Sequence, residues 1–137
     1  MQLPAPIDDH IDHVAREIVD CAYRVHTALG PGLLESVYET VLAACLERRG
    51  HKVARQVPVD IEYDGMRFPG AFKIDLLVDD RLIVEIKSVE NFGRTHAKQL
   101  LTYLRLTRQP VGLLLNFSGE TMKEGIRRLV NEHNPLN

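Results

Sequence analysis

Apolar positions lay out the architecture of the chain. Ile11, Val14, Ala15, Ile18, Val19, Ala22 and Val25 recur at helical spacing, which predicts a helix over about residues 9–29. Asp8 or Asp9 stands where an N-cap is needed. Gly30-Pro31-Gly32 ends the helix, since glycine suits a helix C-terminus and proline cannot continue one. A second helix is expected from about Leu33 to Arg49, with Leu33, Leu34, Val37, Val41 and Leu42 as its core side and Gly50 as its stop. From His51 the period changes to two. "HKVARQVPVDIEYDGMRF" alternates apolar and polar residues around Asp64-Gly65, a strong hairpin turn. "GAFKIDLLVDDRLIVEIKSV" predicts two further, more central strands joined at Asp79-Asp80. Ala97, Leu100, Leu101 and Leu104 give a helix over about 95–106, closed by Pro110, and "VGLLLNF" reads as a buried strand. Thr121 followed by Glu124 resembles a capping box and predicts a last helix. The expected order is αα-ββββ-α-β-α. That is an α/β sandwich around a mixed sheet, with antiparallel strands first and then a helical crossover to a parallel strand.

Nothing in the pattern divides the chain. Its 137 residues carry no repeat, linker or low-complexity tract, so one domain over 1–137 is expected, with its core over about 33–133. Both cysteines, Cys21 and Cys45, lie in helical apolar patterns and read as buried thiols rather than a metal or redox pair. No apolar run reaches membrane-span length, so no membrane contact is expected. "MQLPAPIDDH" lacks the basic and apolar segments of a signal peptide, which predicts a cytoplasmic protein. A net charge of -2 excludes a surface coated in basic residues, while leaving room for a local basic groove.

Against that background three charges stand out. Asp75 interrupts the strand "FKIDLLV", and Glu85 and Lys87 interrupt "LIVEIKSV". A hairpin turning at Asp79-Asp80 sets Asp75 and Glu85 nearly opposite, and alternation puts Glu85 and Lys87 on one face. Two neighbouring carboxylates repel, and a divalent cation relieves the repulsion. A small set of hard oxygen donors suits Mg²⁺ or Mn²⁺ with bound water, and the Ile86 carbonyl adds a donor. Lys87 beside such an ion can orient water and stabilise charge on a phosphate. The same spacing also fits a plain salt bridge at a sheet edge.

An Asp in one strand, "EIK" at 85–87 in the next and "QLLTY" at 99–103 on the following helix resemble the PD-(D/E)XK nuclease superfamily. "GLLESVY" at 32–38 resembles the signature of its GxxExxY branch, as do the flanking "VHTALGPG", "RQVPVDI", "QLLTYLRLT" and "GLLLNF". The resemblance implies a restriction-endonuclease-like three-layer sandwich and metal-dependent cleavage of nucleic-acid phosphodiesters, with DNA a better candidate than RNA. It implies that Asp75, Glu85, Ile86 and Glu35 hold the metal, that Lys87 is the catalytic lysine and that Gln99 orients the site. Tyr38, Tyr103, Lys73 and His96 would contact substrate. Two positions depart from the pattern: Ile74 precedes Asp75 in place of proline, and Lys73 stands in place of arginine, keeping the charge without the fork. A chain this small can gain a substrate channel by forming a homodimer. The rival expectation is a nucleic-acid-binding or protein-interaction module without catalysis on the same fold.

The remaining polar clusters carry less. His10 and His13 in "DDHIDH" sit at helical spacing but lack a further ligand set and read as a solvated helix start. His26 reads as a core or capping residue. Arg94, Lys98, Arg105 and Arg108 add positive charge around the helix of Gln99.

Overall fold

The computed structural model describes residues 6–132, so the expected domain limits at 1 and 137 and the expected core end at 133 lie outside the described residues. Helix α1 (Asp9–Leu29) starts at the cap its sequence supplies, the Asp8 carboxylate accepting the Ile11 N–H at 2.9 Å. It stops at Gly30, whose φ of 71° favours glycine and whose N–H bonds to the His26 carbonyl at 2.7 Å. Helix α2 (Glu35–Arg48) follows. Strands β1 (Val53–Tyr63) and β2 (Met66–Val78) form a long hairpin. Its turn residues Asp64 and Gly65 both have positive φ, 52° and 74°, the geometry that a two-residue hairpin loop needs. Strand β3 (Leu82–Lys87), helix α3 (Arg94–Thr107), strand β4 (Val111–Asn116), a short 3-10 helix (Met122–Gly125) and strand β5 (Ile126–Val130) complete the chain.

The five strands lie in sequence order in one sheet. β3 and β4 run parallel across the α3 crossover, and every other pairing is antiparallel. Two apolar clusters cover the two faces. On one, α1 and α2 bring Ile18, Ala22, Leu42 and Leu46 against Leu76, Val78, Val84, Leu113 and Leu115. On the other, Leu100 and Leu104 of α3 pack on Ile74, Ile83 and Leu114. The fold is the expected three-layer α/β sandwich of restriction-endonuclease type.

Two element expectations are corrected. The first four strands are three, because the segments either side of Pro69-Gly70 form one strand, β2. Gly70 has a φ of 60° and its N–H bonds to Asp60 Oδ1 at 2.8 Å, beside a register shift between Val59 and Ile61, so these residues make an irregularity rather than a break. The expected last helix is one 3-10 turn followed by β5. Thr121 Oγ1 bonds to Glu124 Oε1 at 2.8 Å, and no side chain caps the turn's main chain.

Polar contacts fasten the periphery. Asp79 accepts His51 Nδ1 at 2.8 Å and the Lys52 N–H at 2.9 Å, latching the β2–β3 turn to the start of β1. Arg49 at the end of α2 reaches Glu17 of α1 at 2.7 Å. Cys21 and Cys45 are free thiols between the two helices, with sulfurs 2.7 Å apart. Burial, and then Cys45, push the Cys21 thiol up to about 12. Among the described residues no helix is long and apolar enough to cross a membrane.

Candidate active site

The site begins where two strands part. β2 and β3 are paired from Val78↔Leu82 to Leu76↔Val84. Beyond that, carboxylates take over from the main-chain ladder. Asp75 Oδ2 accepts the Ile86 N–H at 2.8 Å, and Glu85 Oε1 accepts the Asp75 N–H at 3.3 Å. Each acid therefore satisfies a main-chain donor of the other strand, which lets the strands fork without orphaned N–H groups.

The hairpin changes its inward face at the same level. Val53, Leu76 and Val78 join the α1–α2 cluster, whereas Val57, Val59, Phe72 and Ile74 join the α3 cluster. The change falls between the ladder pairs Arg55↔Leu76 and Val57↔Ile74. Asp75 sits at this crossing, half-buried at the rim of the sheet rather than squarely on one face.

Glu85 alternates with Ile83, which packs in the α3 cluster, so Glu85 and Lys87 project towards α3. Glu85 is 4% exposed. Burial first, and then the charge of Asp75, push its carboxyl up to about 8, with Lys87 pulling weakly the other way. Lys87 Nζ donates to Gln99 Oε1 of α3 at 3.4 Å. One turn on, Tyr103 stacks on Phe72 with ring centroids 4.0 Å apart. Burial, and then the charges of Glu85 and Asp75, raise its hydroxyl pKa. The expected Asp75, Glu85, Lys87, Gln99 and Tyr103 are thus brought together.

A cleft of about 720 Å³ opens beside the fork, lined by Leu34, Glu35, Glu39, Gln56, Asp75 and Ile86 among others. Glu35 is the exposed first residue of α2 and accepts the Ser88 N–H at 3.3 Å, just past the end of β3. Tyr38 is elsewhere. Its ring is 0% exposed and stacks on Phe117 at 4.4 Å. Its hydroxyl donates to the Gly30 carbonyl at 2.6 Å and accepts the Leu33 N–H at 3.2 Å. The expectation that Tyr38 contacts substrate is corrected, because both ring and hydroxyl are committed to the fold. The spacing from Gly32 to Tyr38 then has a physical reading. Gly32, at φ 101°, makes the turn, Tyr38 clamps it from inside, and Glu35 is left facing the cleft.

The other expected contacts lie further out. Lys73 is exposed on β2 opposite Pro58. His96 Nδ1 accepts the Gly93 N–H at 3.4 Å and its ring stacks on Phe92, both at the start of α3. His26 bonds to the Gly119 carbonyl at 2.8 Å. Sequence reasoning missed Glu39, Arg55 and Gln56. Glu39 was findable as the residue four after Glu35, which shares its helical face.

The donor set fits a hard cation. Among the described residues no three His, Cys, Asp or Glu side chains draw together closely enough to hold a metal unaided. Mg²⁺ nonetheless accepts one or two carboxylates, with water and substrate oxygens completing its shell, and Asp75 and Glu85 are the two acids at the fork that would hold it.

A family model described as the PD-(D/E)XK nuclease superfamily matches residues 12–129. Comparison with curated proteins and with solved structures gives no match.

Proposed function

Since the chain belongs to the PD-(D/E)XK nuclease superfamily, we propose that it is a metal-dependent nuclease of the GxxExxY branch, cleaving DNA as a single domain. The observation that carries this reading is the fork, where two adjacent carboxylates meet with Lys87 projecting on the same side as Glu85. Mg²⁺ or Mn²⁺ held by Asp75, Glu85, the Ile86 carbonyl and, directly or through water, Glu35 would acidify a bound water and offset phosphate charge.

The chain's own groups do the rest. Gln99 holds the Lys87 ammonium at the fork by accepting from it. From there Lys87 orients the attacking water and stabilises negative charge developing on the phosphate. Lys73, exposed two residues before Asp75, gives the phosphate backbone a point charge on approach. Tyr103, in the same neighbourhood, offers an aromatic edge to the substrate, and His96 a further contact at the start of α3.

A second reading has its own support. Both carboxylates already serve the main chain at the fork, which a charge cluster in a non-catalytic binding module would also do. One assay separates the two. Wild type and Lys87→Ala are incubated with Mg²⁺ or Mn²⁺ and a panel of single- and double-stranded DNA and RNA. Metal-dependent cleavage by wild type, lost in the variant with its melting curve unchanged, is the expected outcome. Cleavage that survives in Lys87→Ala would sink the assignment of the lysine. Binding without cleavage, insensitive to Glu85→Ala, would favour the module.

A further inference from the structure

Among the described residues Gln56 is the one non-glycine with positive φ inside a strand, at 50°. The others lie in turns or at a helix end. That backbone region is unfavourable for any residue with a Cβ, and inside a ladder no turn requires it. The conformation redirects a side chain. In a regular strand Arg55 and Gln56 would face opposite sides of the sheet. Here both reach Glu39 on α2. Arg55 donates to Glu39 Oε2 from Nε at 3.1 Å and from Nη2 at 2.9 Å. Gln56 Nε2 donates to Glu39 Oε1, and also to Asp75 Oδ1 at 3.2 Å.

Both partners of the amide are carboxylates, which only accept, so its nitrogen must be the end that faces them. Asp75 is then held at both oxygens, by the Ile86 N–H on Oδ2 and by Gln56 on Oδ1. Glu39 is 6% exposed and fixed by Arg55, so it is a rigid anchor for the amide. The donor is also neutral. A lysine or arginine at this position would fix Asp75 and cancel its charge together. An amide fixes it and leaves the charge for a cation.

We infer that Gln56 is a positioning residue that, braced by Glu39 and Arg55, aims the Asp75 carboxylate at the divalent cation. This rests on the metal-dependent reading above. It acts through Asp75 and does not itself touch reacting atoms.

The test is Mn²⁺ binding, followed by electron paramagnetic resonance and calorimetry, on wild type, Gln56→Ala and Gln56→Gly, with melting curves in parallel. Both variants are expected to bind Mn²⁺ about tenfold more weakly or worse, the usual effect of losing a group that orients a ligand. Gln56→Gly is expected to melt above Gln56→Ala, because glycine tolerates the positive φ. Should Gln56→Ala fail to fold, Gln56→Gly alone decides. Wild-type affinity in Gln56→Gly would overturn the positioning role while leaving the metal reading intact. Affinity lost only in step with melting temperature would reduce Gln56 to a structural residue. If wild type takes up no Mn²⁺, the metal reading itself fails, and the positioning role with it.

Discussion

Replacing Tyr38 with phenylalanine separates the two jobs of the segment from Gly32 to Tyr38. The variant keeps the ring against Phe117 but loses the bonds to the Gly30 carbonyl and the Leu33 N–H. Leaving those main-chain groups short of a partner costs roughly 1–3 kcal/mol. A drop in melting temperature of roughly 5 °C is therefore expected for a chain of this size, with cleavage at low temperature unchanged. Glu35→Ala should do the reverse, since its side chain is exposed at the cleft: little change in melting, and a loss of cleavage. Parallel melts and cleavage assays on the two variants check this. The contrast also shows what single residues reveal in sequence. Glu85 and Lys87 were legible because strand alternation puts them on one face, and Asp75 because the hairpin register sets it opposite Glu85. Tyr38 was misread because the resemblance grouped it with Glu35 as a substrate contact, whereas the residue four on from Glu35, Glu39, is the one in the cleft. Gln56 was not legible, because its direction depends on a φ of 50° that no polar-apolar pattern announces.

At the scale of elements, the sequence and the structure part company at β5. Ile126, Leu129 and Val130 have helical spacing, and Thr121 with Glu124 imitates a cap, so the local signal favours a helix. The tertiary requirement is stronger. All six residues of β4 are buried, so its main-chain groups need a partner on the side away from β3, and β5 supplies it from Val111↔Val130 to Leu115↔Ile126. The 3-10 turn that delivers β5 is seated by Gly125, where a Cβ would collide with the Asn116 carbonyl. Gly125→Ala must therefore push the turn off β4. A loss of roughly 3 kcal/mol or more is expected, in the range of overpacked cores, and urea unfolding measures it. A stability within experimental error of wild type would mean that the turn does not seat the strand. β2 gives the converse case. Pro69-Gly70 looks like a break, yet with Asp60 holding the Gly70 N–H the strand bends and continues. The helices α1 to α3 and the strands with clean alternation were legible as elements, but the expected core side of α2 was not: Leu33, Leu34, Val37 and Val41 are exposed, and Leu42 is buried with Tyr38 and Leu46 instead. Segments whose state is set by what they must cover were not legible either.

For the molecule as a whole, the buried acid of the fork couples stability to pH and, on the reading proposed above, to metal. Glu85 is raised from 4.5 when free to about 8 in the folded protein, chiefly by burial and next by Asp75. Between those values the folded state binds more protons than the unfolded state, so metal-free stability must fall as pH rises from about 4.5 to about 8. The exposed acids Asp8, Asp20 and Asp60 and the half-buried Glu17 are lowered, chiefly by hydrogen bonds to arginine or main chain, and act in the opposite sense below that window. Open to solvent in whole or in part, they contribute little. Metal-free protein should thus be most stable in mildly acidic solution, at about pH 5, and should lose on the order of 4 kcal/mol by about pH 8. On the metal-dependent reading proposed above, a divalent cation would displace the proton from Glu85, so Mn²⁺ should raise the melting temperature more at about pH 8 than at about pH 6, with proton release on binding. Glu85→Gln keeps the acceptor for the Asp75 N–H and removes the titration. Its metal-free melting temperature should stay level across the same window, exceed that of wild type at the alkaline end, and no longer respond to Mn²⁺. Melts at several pH values with and without Mn²⁺ provide the test. A wild-type profile that rises towards the alkaline end without metal would show that Glu85 is already ionised at the fork, and that the repulsion with Asp75 is relieved by the protein alone.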